Sequence, residues 1–306
     1  MKNTWFAILN PISGKGKSLQ NLEIIKSHFT NNKLQVKIVV TKYPHHEKEI
    51  TIKAINEGFT KIIAIGGDGT LHHIVNGVMS QNTINTNKIT LAVIPFGTGN
   101  DWIKTYNIPN NFKSAITIIA DGKTKFQDIG KITVLSSKNQ HYFNNGAGIG
   151  FDGYVVDRLQ KHKKTGPLIY LLTGLTSFLS YKYPSITFIH DNNTNKIVTK
   201  IFMLNIGICK YSGGGLRLTD YDNHKLGQFD ITLIRKVSFL KVILNIRKLF
   251  NGNLRYLREV KFYKSSQIDI FIKHNQITYI QADGENIITS NINISLLKNA
   301  INFFVN

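Results

Sequence analysis

Cysteine is almost missing from this chain: Cys209 is the single one among 306 residues. A lone thiol excludes an intramolecular disulfide and suits a reducing interior. Runs of 18 or more apolar residues are absent too, so no segment is expected to cross a bilayer as a helix. The nearest stretch, 168–181, is broken by Thr173, Gly174, Thr176, Ser177 and Ser180, as in a buried or interfacial helix. No charged leader with an apolar core and cleavage site precedes the strand-like residues that begin at Trp5, so a cytoplasmic protein is expected. Acidic residues are scarce, 18 against 38 Lys and Arg, giving a formal net charge of +20. So basic a chain is drawn to nucleotides, anionic lipid surfaces and nucleic acid. Aromatic-interleaved RNA motifs and zinc fingers are lacking, which disfavours nucleic acid as the partner.

Several chemistries are missing as well. There is no Gly-x-Ser-x-Gly elbow, and no motif surrounds Cys209. His45-His46 and His72-His73 are adjacent pairs without the i, i+4 spacing of a zinc site. The run from Asn10 to Ser18 falls short of a P-loop, because Pro11 stands where glycine is required. Gly148-Ile-Gly150-Phe-Asp-Gly153 matches a dinucleotide fingerprint but has no acidic residue about 20 positions on.

Glycine, by contrast, is concentrated where chemistry is expected. The apolar run Ile62-Ile63-Ala64-Ile65 leads into Gly66-Gly67-Asp68-Gly69-Thr70, and apolar residues at helical spacing follow. Strand, tight turn and helix in that order bring backbone N–H groups to a phosphate. Asp68 supplies a carboxylate beside it for a divalent metal, and Thr70 a hydroxyl. A second turn, Pro95-Phe96-Gly97-Thr98-Gly99-Asn100-Asp101-Trp102, repeats the arrangement after the strand-like 90–94.

Around these turns, strands at 5–10, 36–41, 61–65 and 90–94 alternate with helical patterns. One carries Leu22, Ile25 and Phe29, another spans 47–57, and a third 71–79. That alternation predicts a doubly wound α/β lobe with a parallel sheet over 1–124. Ligands in such sheets bind at the carboxyl ends of the strands, where Asn10, Thr41 and both glycine turns fall. From about residue 122 the segments become short and β-rich. A mainly antiparallel β lobe is expected over 125–306, its last ~20 residues packing back on the first lobe. Helices are expected in it at 153–164, 168–181 and 238–250, with a polar hairpin turn at 191–196.

The two glycine turns resemble those of the diacylglycerol kinase-like lipid kinases, in particular the soluble bacterial type. NAD kinases share Gly-Gly-Asp-Gly-Thr but lack the Pro-x-Gly-Thr-x-Asn-Asp-aromatic run. Asn10-Pro-x-Ser-Gly, Thr41, Asn145–Asp152, Gly213-Gly-Gly215 and Asp283-Gly-Glu285 follow the same family order, so the resemblance spans nearly the whole chain. It implies a bilobed fold, an α/β nucleotide lobe and an antiparallel β-sandwich lobe. It also implies an ATP- and Mg²⁺-dependent kinase that phosphorylates a hydroxyl of diacylglycerol or a related lipid alcohol. ATP would be held by Asn10, Pro11, Ser13, Gly14, Thr41, Gly66, Gly67, Asp68, Gly69, Thr70, Thr98 and Asn100. Asp68 and Asp101 would organise the metal, and Asp283 or Glu285 would act as base, with Asp68 counted among the catalytic groups. On an extended segment, the two carboxylates at 283 and 285 would share a face.

Two departures stand out. His73 replaces the family's usual glutamate, which removes or inverts the charge there. Leu226 replaces the first Asp of a run belonging to a structural metal site, and leucine cannot ligate Mg²⁺. Either Asp222 substitutes or the ion is lost, and loss is the expectation. An anionic membrane surface is the expected partner, reached through Lys161, His162, Lys163 and Lys164 ahead of the 168–178 stretch. A homodimer stays open. The alternatives are an NAD kinase and a catalytically inactive nucleotide-binding relative.

Overall fold

The computed structural model describes residues 4–161, 167–190, 195–220, 227–273, 276, 278–287 and 291–306. They form two compact units, one of residues 1–129 and 298–306, the other of residues 130–297.

The first unit is built on parallel strands. β1 (Trp5–Leu9) leads through the short α1 (Lys17–Gln20) and α2 (Leu22–Asn31) to β2 (Val36–Val40). Then come α3 (His46–Asn56), β3 (Lys61–Gly66), α4 (Asp68–Ser80), β4 (Thr90–Pro95), α5 (Asp101–Thr105) and α6 (Phe112–Asp121). The strands lie in the order β2–β1–β3–β4, with Leu9 opposite both Val40 and Ile65, and Gly66 opposite Pro95. Alternate residues of β1 face opposite sides, as the two-residue strand period requires. Trp5, Ala7 and Leu9 meet Ile25 and Phe29 of α2 and Ile116 and Ile119 of α6. On the other face α3 packs against β1 and α4, and α4 against β3. The doubly wound α/β expectation is met.

β5 (Thr124–Val134) runs unbroken past the boundary expected at 124, and the first compact unit ends inside it at Ile129. β6 (Gln140–Phe143), β7 (Gly146–Gly150), α7 (Phe151–Lys161), α8 (Pro167–Ser177), β8 (Ser185–His190) and β9 (Asn195–Gly207) follow. β10 (Phe229–Arg235), α9 (Phe239–Leu244), α10 (Ile246–Asn251), β11 (Val260–Ser265), β12 (Gln267–Ile272), β13 (Ile280–Ala282), β14 (Glu285–Ile287) and β15 (Ile292–Phe304) complete the chain. The end of β15, from Lys298, belongs to the first unit, where Asn302 and Phe303 pair with β4 in parallel.

Pairing within the second unit is antiparallel. The long β9 joins two sheets: Asn195–Lys200 pair with β8, while Met203–Gly207 lie between β7 and β10. One sheet continues through β12 to the start of β15, and the other extends through β13 and β14 on one side and β11 on the other. This is the β-sandwich-like lobe that the resemblance implied. Phe143 and Phe229, both fully buried, stack with centroids 5.7 Å apart in its core.

Two helical expectations change. The helix expected at 238–250 is two helices, because Asn245 leaves helical geometry and its Nδ2 donates to the Lys241 carbonyl at 2.8 Å. A short amide that bonds locally competes with the helix ladder in this way. The helix at 168–181 is α8 followed by a tighter 3-10 turn, Phe178–Ser180. The described part of the helix at 153–164 ends at Lys161, and residues 191–194 of the expected hairpin turn lie outside the described residues. Among the described residues, no helix is long and apolar enough to cross a membrane.

Phe29 is 3% exposed in the first core, so Phe29→Ala is expected to cost about 3–5 kcal/mol. A lower denaturant midpoint at unchanged slope checks it.

Candidate functional site

Every site residue expected in the first unit lies at the carboxyl edge of its sheet, where all four parallel strands release their loops. After β1, Asn10 Nδ2 donates to Thr70 Oγ1 at 3.2 Å and to Glu47 Oε1 at 3.0 Å, while the Asn10 carbonyl accepts from Ser18 Oγ at 2.6 Å. The turn through Pro11, Ser13 and Gly14 follows, closed by Ser13 N donating to the Asn10 carbonyl. Thr41, buried after β2, donates its N–H to the Leu9 carbonyl.

The turns after β3 and β4 touch through their backbones. A Cβ on Gly67 would lie 2.8 Å from the Gly97 Cα, closer than real Cβ contacts come. Asp68 ties the turns together further: Oδ2 accepts the Asp101 N–H at 3.0 Å and Oδ1 the Trp102 N–H at 3.3 Å. Its carboxylate therefore sits on the first amides of α5. Asn100, buried and left-handed at φ 49°, donates Nδ2 to the Gly97 carbonyl at 2.8 Å and to Asn110 Oδ1 at 2.7 Å. Asp101 is buried and pairs with Lys104 at 2.9 Å. Thr98 is exposed at the tip, and Gly69 and Thr70 open α4.

Two features of this edge were not legible in the sequence. Glu47, 3% exposed, has one carboxylate oxygen on Asn10 and the other buried with no hydrogen-bond partner among the described residues. In the sequence it looked like an ordinary acidic residue in a first helical turn. His73 meets His45, whose Nδ1 lies 2.8 Å from His73 Nε2. One ring nitrogen must donate and the other accept. Pairing across 28 residues leaves no local spacing to detect.

In the second unit, Asp283 and Gly284 are the two-residue turn of the β13–β14 hairpin, with φ 49° and 89° and Ala282 opposite Glu285. Asp-Gly favours that double left-handed turn, so the extended segment expected to align the 283 and 285 carboxylates is not formed. Their surroundings differ sharply. Asp283 Oδ1 accepts the N–H groups of Asn145 at 3.0 Å and Gly146 at 2.9 Å, and Oδ2 that of Asn144 at 2.9 Å. Cys209, also buried at this corner, directs its Sγ to the Asn144 carbonyl at 3.4 Å. Glu285 is partly exposed, with Gln160 Nε2 3.3 Å from Oε2.

Gln281 links this hairpin to a buried carboxyl. Its Oε1 accepts the Gly284 N–H at 2.8 Å, and its Nε2 donates to Asp152 Oδ2 at 2.6 Å. Tyr170 donates its hydroxyl to Asp152 Oδ1. Burial pushes the Asp152 carboxyl above its ordinary pKa, outweighing the two hydrogen bonds that favour the charged form. Asp152 is on the wall of a cavity of about 340 Å³, otherwise lined by such side chains as Leu171, Leu175, Phe202, Leu218 and Leu249. Gly148 and Gly150 lie within β7, between β13 and β9, as ladder residues rather than as a dinucleotide turn. Leu226, Asp222, His162, Lys163 and Lys164 fall outside the described residues.

Two outcomes follow from these contacts. Asp283→Asn puts an N–H₂ where N–H donors converge, and thermal melting should register a loss of about 1–3 kcal/mol. For Asp152, the folded chain retains a proton that the unfolded chain releases above pH 3.8. Its contribution to stability therefore falls as pH rises from there through the raised folded pKa. Asp152→Asn should flatten that part of the stability profile measured by denaturant titration at successive pH values.

The comparisons with known proteins agree with this architecture. Residues 4–132 match the diacylglycerol kinase catalytic domain, and residues 146–305 the YegS C-terminal NAD kinase beta sandwich-like domain. "Putative lipid kinase YtlR" of Bacillus subtilis (strain 168) is 26% identical over 294 residues, 92% of this chain and 93% of that protein. The diacylglycerol kinase of Mycobacterium tuberculosis (strain H37Rv) is 25% identical over 266 residues, 86% of this chain and 84% of that protein. A solved diacylglycerol kinase from Bacillus anthracis shares the fold with a TM-score of 0.75 at 21% identity, covering 99% of this chain and 97% of that one. On its catalytic and C-terminal domains together, the chain belongs to the diacylglycerol kinase-like family of lipid kinases.

Proposed function

We propose that this chain transfers the γ-phosphate of ATP to the hydroxyl of diacylglycerol or a related lipid alcohol at a membrane surface. The observation that carries a lipid as acceptor is the cavity of the second unit. Its wall is mostly apolar, the polar exceptions including Asp152, Tyr170, Asn245 and the Lys241–Glu259 pair, and Gln281 connects Asp152 to the turn before Glu285. Such a cavity suits an alkyl chain and offers a dinucleotide little to bond.

On the first unit, the N-terminus of α4 and the turns at 66–70 and 97–100 offer N–H groups and a helix dipole to the ATP phosphates. Asn10, Thr70 and Thr98 add polar side chains at the same edge. The Asp68 carboxylate accepts the N–H groups of Asp101 and Trp102. Together with the Asp101 carboxylate this is an all-oxygen set, and it fits Mg²⁺. When bound, that ion would neutralise phosphate charge. In the transfer itself, the lipid oxygen bonds to the γ-phosphorus while the bond to the β–γ bridging oxygen breaks, releasing ADP.

The acceptor proton needs a base. Asp283 accepts three backbone N–H groups, so its part is to hold the hairpin in place. Glu285, partly exposed at the first position of β14, is the residue we assign as base.

The purified chain would be incubated with Mg²⁺, γ-labelled ATP and vesicles containing diacylglycerol, ceramide, sphingoid base, phosphatidylglycerol and a polyprenol. Label is expected in one extractable lipid. Glu285→Gln should lower turnover by about 10²–10⁴-fold with melting temperature and ATP affinity unchanged. Label in no lipid despite ATP binding would overturn the reading, and NADP formation in a coupled assay would replace it with the soluble-metabolite kinase.

A further inference from the structure

The helices around the cavity of the second unit are apolar on two sides. Lys241 and Val242 of α9, and Asn245 just after it, line the cavity, whereas Leu240, Ile243 and Leu244 are exposed. The exposed three share a helical face by their i, i+3, i+4 spacing. On α8, Leu171 and Leu175 face the cavity while Leu172 is exposed. Leu168 and Phe250 both line the cavity and are exposed, which sets them at its opening. Phe178 and Phe239, with ring centroids 5.3 Å apart, join the end of α8 to the start of α9. Exposure is 74% at Leu244, 66% at Leu240 and 84% at Leu179. Single exposed leucines are ordinary, but a group of them around a cavity opening marks an interaction surface.

The charge of this region is mainly basic, with Glu259 paired to Lys241 and Asp220 to Arg255. Residues 235–258 contain Arg235, Lys236, Lys241, Arg247, Lys248, Arg255 and Arg258 and no Asp or Glu. Residues 167–190 contain Lys182 and no acid. Arg235, Lys236, Arg247 and Arg258 are exposed.

We infer that this face docks on an anionic bilayer, with Leu172, Leu240 and Leu244 entering the interface and Arg247 and Lys248 meeting lipid phosphates. The inference rests on the lipid-kinase reading and extends it by fixing where the membrane meets the chain. Exposed leucines call for a partner with an apolar interior, and the basic residues for one with an anionic surface. An anionic bilayer supplies both in that order of depth. Nucleic acid would satisfy the charges and leave the leucines in water. Docked this way, the cavity opening lies against the bilayer, and a lipid chain passes into it without crossing water.

The test is sedimentation of the full chain with vesicles, phosphatidylcholine alone against phosphatidylcholine with phosphatidylglycerol. Two variants are compared with the wild type, Leu240→Ser with Leu244→Ser and Arg247→Glu with Lys248→Glu, since none of these side chains lines the cavity. The wild type should prefer the phosphatidylglycerol vesicles and release in high salt. The leucine pair should lower binding at least tenfold. The charge pair should remove the preference, at about fivefold or more per residue. Both should phosphorylate monomeric short-chain diacylglycerol within about twofold of the wild type. Wild-type-like vesicle binding by both variants overturns the inference. So does a shift from dimer to monomer in sedimentation velocity with vesicle binding intact, which would give the face to a second copy. Failure of the kinase reading looks different: the wild type binds vesicles and labels no lipid, membrane-bound or monomeric.

Discussion

A Cβ at Gly67 would stand 2.8 Å from the Gly97 backbone, and the first unit's edge is arranged around that near-contact. The parallel sheet brings β3 and β4 to a common end, Gly66 beside Pro95, so the turns that follow must either collide or consist of glycine. Glycine lets them touch, and Asp68 then reaches across to the first amides of α5. The same turn starts α4, whose opening N–H groups remain directed at the edge. Close approach, carboxylate placement and the start of α4 thus have one origin. A side chain at 67 or 97 would disturb all three.

The second unit solves a different problem, holding a polar turn next to an apolar hollow. Asp283 fastens the turn through three backbone N–H groups, and Gln281 bridges from the turn to Asp152 in the cavity wall. Burying a carboxyl among leucine and phenylalanine favours its neutral form, in which it donates as well as accepts. Among the polar groups on its wall, Asp152 is the one that Gln281 links to the turn before Glu285.

Much of the first unit was legible because its signals are local. Trp5, Ala7 and Leu9 alternate, Ile25 and Phe29 keep helical spacing, and the glycine clusters directly follow apolar strands. The second unit was legible in texture and less so in detail. Asp283-Gly284 reads as extended or as a turn from sequence, and only pairing of Ala282 with Glu285 decides. The break at Asn245 depends on a side-chain bond that no periodicity announces. On α8 and α9, leucines facing the cavity and leucines facing solvent have the same hydropathy, so no pattern separates them. Contacts between distant residues, Glu47 with Asn10 and His45 with His73, carry no sequence signal at all.

Cys209 makes one corner of the second unit observable by itself. Its thiol is buried against the Asn144 carbonyl, beside the amides that Asp283 holds. A thiol reagent reaches it only when that corner opens, and no other sulfhydryl in the chain competes for label. The rate of modification of the native chain is thus a clock for local opening at the hairpin's anchor, read without introducing any probe. Ligands that seat on the hairpin would slow it, and those confined to the first unit would leave it running at the same pace.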